Sequence, residues 1–114
     1  MKLAREVVER TPDSPLFLNT LGVAQYRNGL YPEAIATLKK SLELGRGQFD
    51  AFDLFFLAMA YHRLGNLSKA RDCHDRAVRW IQSRTNLAPH QIEDLKAFQS
   101  ESEAILRSAI SPSL

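Results

Sequence analysis

The chain has 114 residues, 45% of them hydrophobic and 25% charged, which is typical of globular proteins and excludes a disordered or collagen-like chain. A net charge of +2 does not indicate a nucleic-acid or membrane-surface partner, and the single cysteine excludes an internal disulfide. Because the longest apolar run, residues 54–61, is too short to span a bilayer, we expect one cytoplasmic domain over residues 1–114.

The chain opens with a short predicted helix. Residues 2–10 carry Val7 and Val8 at helical positions, and the Thr-Pro-Asp-Ser cluster that follows them breaks and caps helices. Both valines match positions in the rear half of the repeated unit described next. Residues 1–12 are therefore interpreted as the rear half of a truncated repeat.

The strongest pattern is an internal repeat with an offset of 36 residues. Residues 18–24 align with residues 54–60, and Gly29 recurs as Gly65. In each unit, apolar residues at spacings of three and four predict two helices separated by this glycine. Such a unit cannot bury its apolar face alone, so neighbouring units must stack. The two predicted units are residues 15–48 and 51–82.

A last amphipathic helix is predicted over residues 89–109. Its apolar stripe consists of Ile92, Leu95, Phe98, Ile105 and Leu106. The helix does not match the repeated pattern, which is common for capping helices at the ends of repeat arrays. No segment alternates apolar and polar residues with turn dipeptides, so strands are not expected. The predicted fold class is all-α.

The repeated pattern resembles the tetratricopeptide repeat, in which W-x2-L-G-x2-Y is followed by A-x3-F and then by P. The matching stretches are Leu18-x2-Leu21-Gly22-x2-Gln25, Leu54-x2-Leu57-Ala58-x2-Tyr61, Ala34-x3-Leu38 and Ala70-x3-His74. This resemblance implies a right-handed α-solenoid that binds a protein or peptide on its concave face. Residues 53–65, with residues 76–80, also resemble C-terminal repeats of large bacterial proteins, many of planctomycete type. That second resemblance implies an accessory module of a larger protein.

A second stripe on the first helix of each unit, which we call the partner stripe, is the candidate binding surface. At 100° per residue it lies away from the leucine face. It consists of Leu16, Asn19, Val23 and Tyr26 in the first unit and Phe52, Phe55, Met59 and His62 in the second, with Arg27 and Arg63 at its border.

Two outward-facing Phe and a Met form an apolar patch that soluble proteins seldom leave unused, and the arginines are suited to hold a carboxylate. We predict that a partner segment lies along the stripe with Phe55 as its anchor. The alternative is that the C-terminal helix, or an upstream repeat, covers the patch.

Catalysis finds little support in the sequence. Neighbouring helical residues point about 100° apart, so the Asp72-Cys73-His74-Asp75 run does not converge on a substrate. Cys73 and His74 are interpreted as a packed thiol and a helix-interface histidine. The three histidines lack the spacing of a metal site, and no phosphate-binding loop is present. We therefore expect a non-enzymatic protein without metal or cofactor.

Two further alternatives concern partners. The basic residues of the last repeat helix are Lys69, Arg71, Arg76, Arg79 and Arg84. They are interpreted as complementing the acidic C-terminal helix, with a solvated outer face, rather than as a nucleic-acid site.

The second alternative is a structural or oligomerisation module that caps or dimerises a larger protein. The half-repeat leaves the apolar side of Ala4, Val7 and Val8 without a front helix. Two chains could cover this side in a two-fold homodimer.

Overall fold

A computed structural model describes residues 14–108 of the chain. They form five helices: α1 (Pro15–Arg27), α2 (Tyr31–Gly45), α3 (Asp50–Arg63), α4 (Leu67–Gln82) and α5 (Pro89–Ser108). No strand occurs between residues 14 and 108, which confirms the predicted all-α class. The predicted half-repeat at residues 1–12 lies outside the described residues, as does residue 109 of the predicted last helix.

Two hairpins, α1–α2 and α3–α4, end their first helices in the same way. Gly29 and Gly65 take the left-handed backbone conformation, with φ of 79° and 83°. The next N–H group reaches back to a carbonyl five residues earlier, from Leu30 to Gln25 and from Asn66 to Tyr61, at 2.9 Å in both hairpins. This is a Schellman cap, which glycine adopts without the steric cost of a Cβ atom. The repeated glycine therefore makes the turn of each hairpin, as the sequence predicts.

A close approach holds the first hairpin together. A Cβ atom placed on Gly22 would lie 2.5 Å from Cγ of Leu38, a side chain of α2 that is fully buried. The absence of a side chain at position 22 thus allows the two helix axes to come close enough for Leu38 to fill the space. The equivalent position of the second hairpin holds Ala58, which is also fully buried.

The connector between the hairpins is held by the end of α4. Arg46 and Gly47 have left-handed φ values of 50° and 85°. The indole Nε1–H of Trp80 donates to the carbonyl of Gly47 at 2.8 Å, and the Arg84 guanidinium donates to the same oxygen. Arg84 also stacks 4.5 Å from the centre of the Trp80 ring. These contacts set the point at which α3 begins, and hence the position of the second hairpin.

The last helix, α5, packs against α3 and α4 and reaches α1. Leu95 and Leu106 of its predicted apolar stripe are buried, and Phe98 lies with its ring 5.0 Å from that of Phe56 on α3. On α4, Nδ1 of His74 lies 2.8 Å from Oγ of Ser102, and both groups are buried. The helix that ends the described chain therefore closes one side of the front helices, α1 and α3.

Candidate functional site

The structure buries the second-unit half of the partner stripe. Phe55 and Met59 have no exposed surface, and the Phe55 ring packs edge-on against His74 at 5.5 Å. The prediction that these side chains face outward is therefore wrong. The physical reason is that α3 is apolar on all sides, and a helix of that kind is buried all round. The patch is thus covered by other parts of the same chain, with α4 against Phe55 and α5 against the neighbouring Phe56.

The far end of the stripe, where α1 and α3 end, is also closed. Tyr26 is buried, with its ring 5.8 Å from that of Phe56, and Nε of Arg63 donates to its hydroxyl oxygen at 3.4 Å. Val23 and His62 are half-buried. Burial, together with the charge of the neighbouring Arg63, lowers the pKa of His62. The expected row of accessible side chains is thus interrupted at this end.

Arg27, which was expected to bind a carboxylate of a partner, binds a carboxylate of the chain itself. Its two terminal nitrogens bond the two carboxylate oxygens of Glu101 on α5, with Nη2 and Oε1 2.9 Å apart. The hydrogen bond to Glu101 raises the pKa of Arg27. The guanidinium also lies 5.2 Å from the centre of the Phe56 ring. Arg27 is therefore not a free carboxylate clamp, whereas Arg63 is exposed and uses only Nε in its hydrogen bond to Tyr26.

The partner stripe is open to solvent at the end where α1 and α3 begin. A cleft of about 370 Å³ lies there between the starts of α1, α3 and α5. It is lined by Pro15, Leu16, Asn19, Ser41, Phe49, Phe52, Asp53, His90, Gln91 and Asp94. Leu16 is 71% exposed and Phe49 is 43% exposed, so the cleft opens to solvent beside two large apolar side chains. It brings together three of the predicted site residues: Leu16, Asn19 and Phe52.

A buried carboxyl group ties three helices together in this cleft. Asp53 is 2% exposed; its Oδ1 accepts from Nδ2 of Asn19 at 2.9 Å, and its Oδ2 lies 3.1 Å from Oγ of Ser41. The same hydroxyl lies 3.0 Å from the carbonyl of Pro15. A hydroxyl has one hydrogen to donate, so Ser41 donates either to Oδ2 of Asp53 or to the carbonyl of Pro15 at any one time. Burial raises the pKa of Asp53 to about 6, against the hydrogen bonds from Asn19 and Ser41, which lower it.

Comparison with known proteins agrees with this architecture. The family model of the tetratricopeptide repeat matches residues 13–79, which include all of the first hairpin and nearly all of the second. The chain belongs to the tetratricopeptide repeat family. A search of curated proteins found no significant match. Tetratricopeptide repeats generally mediate protein–protein interactions and are typically non-catalytic.

Several residues of the cleft were not predicted from the sequence. Asp53 carried a usable signal, since it is an acid inside the apolar front helix of a tetratricopeptide repeat, where the first repeat has Phe17. Phe49 lies in the connector outside the repeated pattern. His90 and Asp94 enter the cleft only because α5 folds back across both front helices, which no local spacing reveals.

The charges of the cleft are of one sign. Its carboxyl groups are Asp53 and Asp94, it has no Lys or Arg in its lining, and His90 is its only other ionisable side chain. The remaining surface is mainly apolar and comes from Pro15 and from the leucine and phenylalanine side chains. This is the usual composition of a ligand site, with a mostly apolar wall and few polar groups.

The other chemical candidates of this tetratricopeptide repeat protein are structural. Cys73 and His74 are buried, which confirms their interpretation as packed side chains. Arg71 and Arg76 lie 4.0 Å from Asp75 and Asp72 of their own helix, rather than from acids of α5 as predicted. Among residues 14–108, no group of three or more His, Cys, Asp or Glu is placed to hold a metal ion. None of the helices in that range is long and apolar enough to cross a membrane.

Proposed function

We propose that the protein is a non-catalytic interaction module that binds a protein or peptide segment in the cleft at the start of its front helices. The observation that carries this proposal is the open apolar cleft of about 370 Å³ beside the exposed Leu16 and Phe49. Its volume falls within the range of roughly 300–1,000 Å³ typical of ligand sites. The interaction role of the family supports the same conclusion.

The proposed binding surface is narrower than the partner stripe. Leu16, Asn19 and Phe52 contact the partner directly, because they line the open cleft. Phe55 and Met59 support this surface from beneath and do not touch a partner while α5 is packed. The anchor therefore moves from Phe55 to the pair Leu16 and Phe49, which stand at the mouth of the cleft.

Peptide display on the purified chain tests this function. Selected peptides are titrated against three proteins: the native chain, Leu16→Asp and the control Leu67→Asp. Leu67 is 49% exposed at the start of α4, at the opposite end of the hairpins from the cleft. Leu67→Asp therefore introduces the same negative charge as Leu16→Asp without changing the cleft. We expect Leu16→Asp to weaken binding by about tenfold or more, as removal of an apolar anchor does, and Leu67→Asp to change it little.

Equal loss in both variants, or none in either, would contradict a site at the cleft. A selection that yields no binding peptide would favour the second candidate, a structural module. The packing of α5 against α3 and α4 favours that role, since it is what a cap does. The homodimer predicted through Ala4, Val7 and Val8 lies outside the described residues. Cytoplasmic location and membership of a larger, planctomycete-type bacterial protein remain proposals from the sequence.

A further inference from the structure

We propose that the cleft selects a basic side chain, lysine or arginine, from the partner segment that the proposed function requires. This inference rests on that function and adds the chemical class of the residue that enters the cleft. The occupant is therefore an extended segment of another protein whose inserted side chain has an apolar stem and a cationic end.

The first argument is charge complementarity. The chain as a whole carries 15 Lys and Arg against 13 Asp and Glu, yet the cleft has two aspartates and neither Lys nor Arg in its lining. Asp94 is exposed on α5, and Asp53 lies buried on α3. Asp94 is therefore the carboxylate that faces a guest, and its charge attracts a cation and repels an acidic segment.

The second argument is the shape and chemistry of the walls. Pro15, Leu16, Phe49 and Phe52 supply apolar surface, which suits the methylene stem of a basic side chain while its charged end stays near polar groups. Phenylalanine rings also attract cations through their faces, with Arg and Lys as the usual partners. Walls of this kind next to the exposed Asp94 carboxylate fit a lysine or arginine better than a purely aliphatic residue, which brings no charge to meet that carboxylate.

The third argument concerns the hydrogen-bond donors near Asp53. Nδ2 of Asn19 donates to Asp53 and to the carbonyl of Phe52, at 2.9 and 3.2 Å. The Ser41 hydroxyl is engaged by Asp53 and by the carbonyl of Pro15. Both donors are thus committed within the protein, so an anionic guest would have only the side chains of His90 and Gln91 as donors in the lining.

Three capped pentapeptides test the inference, each with glycine and alanine around one central residue: lysine, norleucine or glutamate. Norleucine keeps the apolar stem of lysine and removes the charge. Binding is followed by chemical-shift changes of the isotope-labelled chain, using the side-chain amides of Asn19 and Gln91 as reporters at the cleft. We expect the lysine peptide to bind about tenfold more tightly than the norleucine peptide, and less tightly as salt is added.

The matched variants are Asp94→Asn and Glu93→Gln, which remove the same charge from adjacent positions of α5. Only Asp94 lines the cleft, while Glu93 is an exposed neighbour. We expect Asp94→Asn to weaken binding of the lysine peptide by about fivefold or more and to leave the norleucine peptide unaffected. Glu93→Gln should change neither peptide by more than about twofold.

The outcomes separate this inference from the function beneath it. If norleucine binds as well as lysine at the same reporters, the selection of a basic residue is wrong and the cleft remains a binding site. Equal effects of Asp94→Asn and Glu93→Gln would also overturn the inference, because the attraction would then come from the general charge of α5. If the glutamate peptide binds more tightly than the lysine peptide, the cleft selects an acidic side chain and the inference is wrong. If none of the peptides changes the chemical shifts of the reporters, the cleft does not bind a basic side chain. The proposed function is then tested by the displayed peptides alone.

Discussion

The two hairpins share a sequence pattern and a turn, but their equivalent positions have opposite surroundings. Leu16 is 71% exposed at the start of the first hairpin, whereas its counterpart Phe52 is half-buried. Asn19 is half-buried and hydrogen-bonded, while its counterpart Phe55 has no exposed surface. The stripe is thus open to solvent at Leu16 in the first hairpin and closed at Phe55 in the second.

This difference shows that exposure in a repeat protein depends on what packs next. The second hairpin is followed by α5, which packs Leu95, Phe98 and Leu106 into or against the core. Because stacked units contact mainly their neighbours, the last repeat takes its surroundings from the cap. A binding surface predicted from one repeat therefore does not transfer to the other without the cap.

The largest expected effect comes from removing the buried ring of the second hairpin. Phe55→Ala should lower the free energy of unfolding by about 3–5 kcal/mol, because it leaves a cavity between α3 and α4. Leu16→Ala is the control at an open position of the stripe and should change it by less than about 0.5 kcal/mol. Chemical denaturation measures both. Equal, small losses would mean that Phe55 is not buried in solution.

The next effect concerns Asp53, a buried acid at the position where the first hairpin has Phe17. The folded-state pKa of Asp53, about 6, is above its ordinary value of 3.8, so the folded state binds the proton more tightly. The stability contributed by Asp53 is therefore lost as the pH rises through about 6. Asp53→Asn mimics the protonated form and should raise the free energy of unfolding by about 2–3 kcal/mol near pH 8, and by little near pH 4.

The free energy of unfolding of the native protein and of Asp53→Asn is measured across this pH range. The difference between the two proteins gives the contribution of Asp53. Burial lowers the pKa of His74 and of His62, so these histidines reduce stability as the pH falls below 6.5. Both proteins retain them, and their contribution cancels in the difference. The control Asp72→Asn removes an exposed acid of α4 and should shift stability by less than about 0.5 kcal/mol at either pH. A destabilising Asp53→Asn near pH 8 would show that the carboxylate is the preferred form in the cleft.

The smallest effect makes the first hairpin like the second at one position. Gly22→Ala places a Cβ atom against Leu38 and should destabilise by about 1 kcal/mol, since overpacking exceeds the gain in helix propensity. In a Leu38→Ala background the same change should become stabilising, because the clash is gone. Thermal unfolding of the four proteins in this cycle measures the reversal. An unchanged sign would place the contact between α1 and α2 elsewhere.

Local sequence was sufficient for the helices, their order and their turns. The apolar spacings and the repeated glycine predict two hairpins, and Gly29 and Gly65 make them through identical caps. These are short-range effects, since a helix and its cap depend on residues within one or two turns. The leucine face was predicted for the same reason, and Leu18, Leu21, Leu54 and Leu57 are all buried.

Only the tertiary structure decided which part of the front-helix face stays open. Arg27 meets Glu101 across 74 residues, and Asp94 enters the cleft beside Asn19 because α5 crosses both front helices. A helix can pack on any apolar face of suitable shape. The sequence of α5 therefore predicts which of its own residues become buried, but not which surface of the hairpins they pack against. The sequence by itself therefore determined the repeated hairpins, and the packing of one non-repeated helix determined the site.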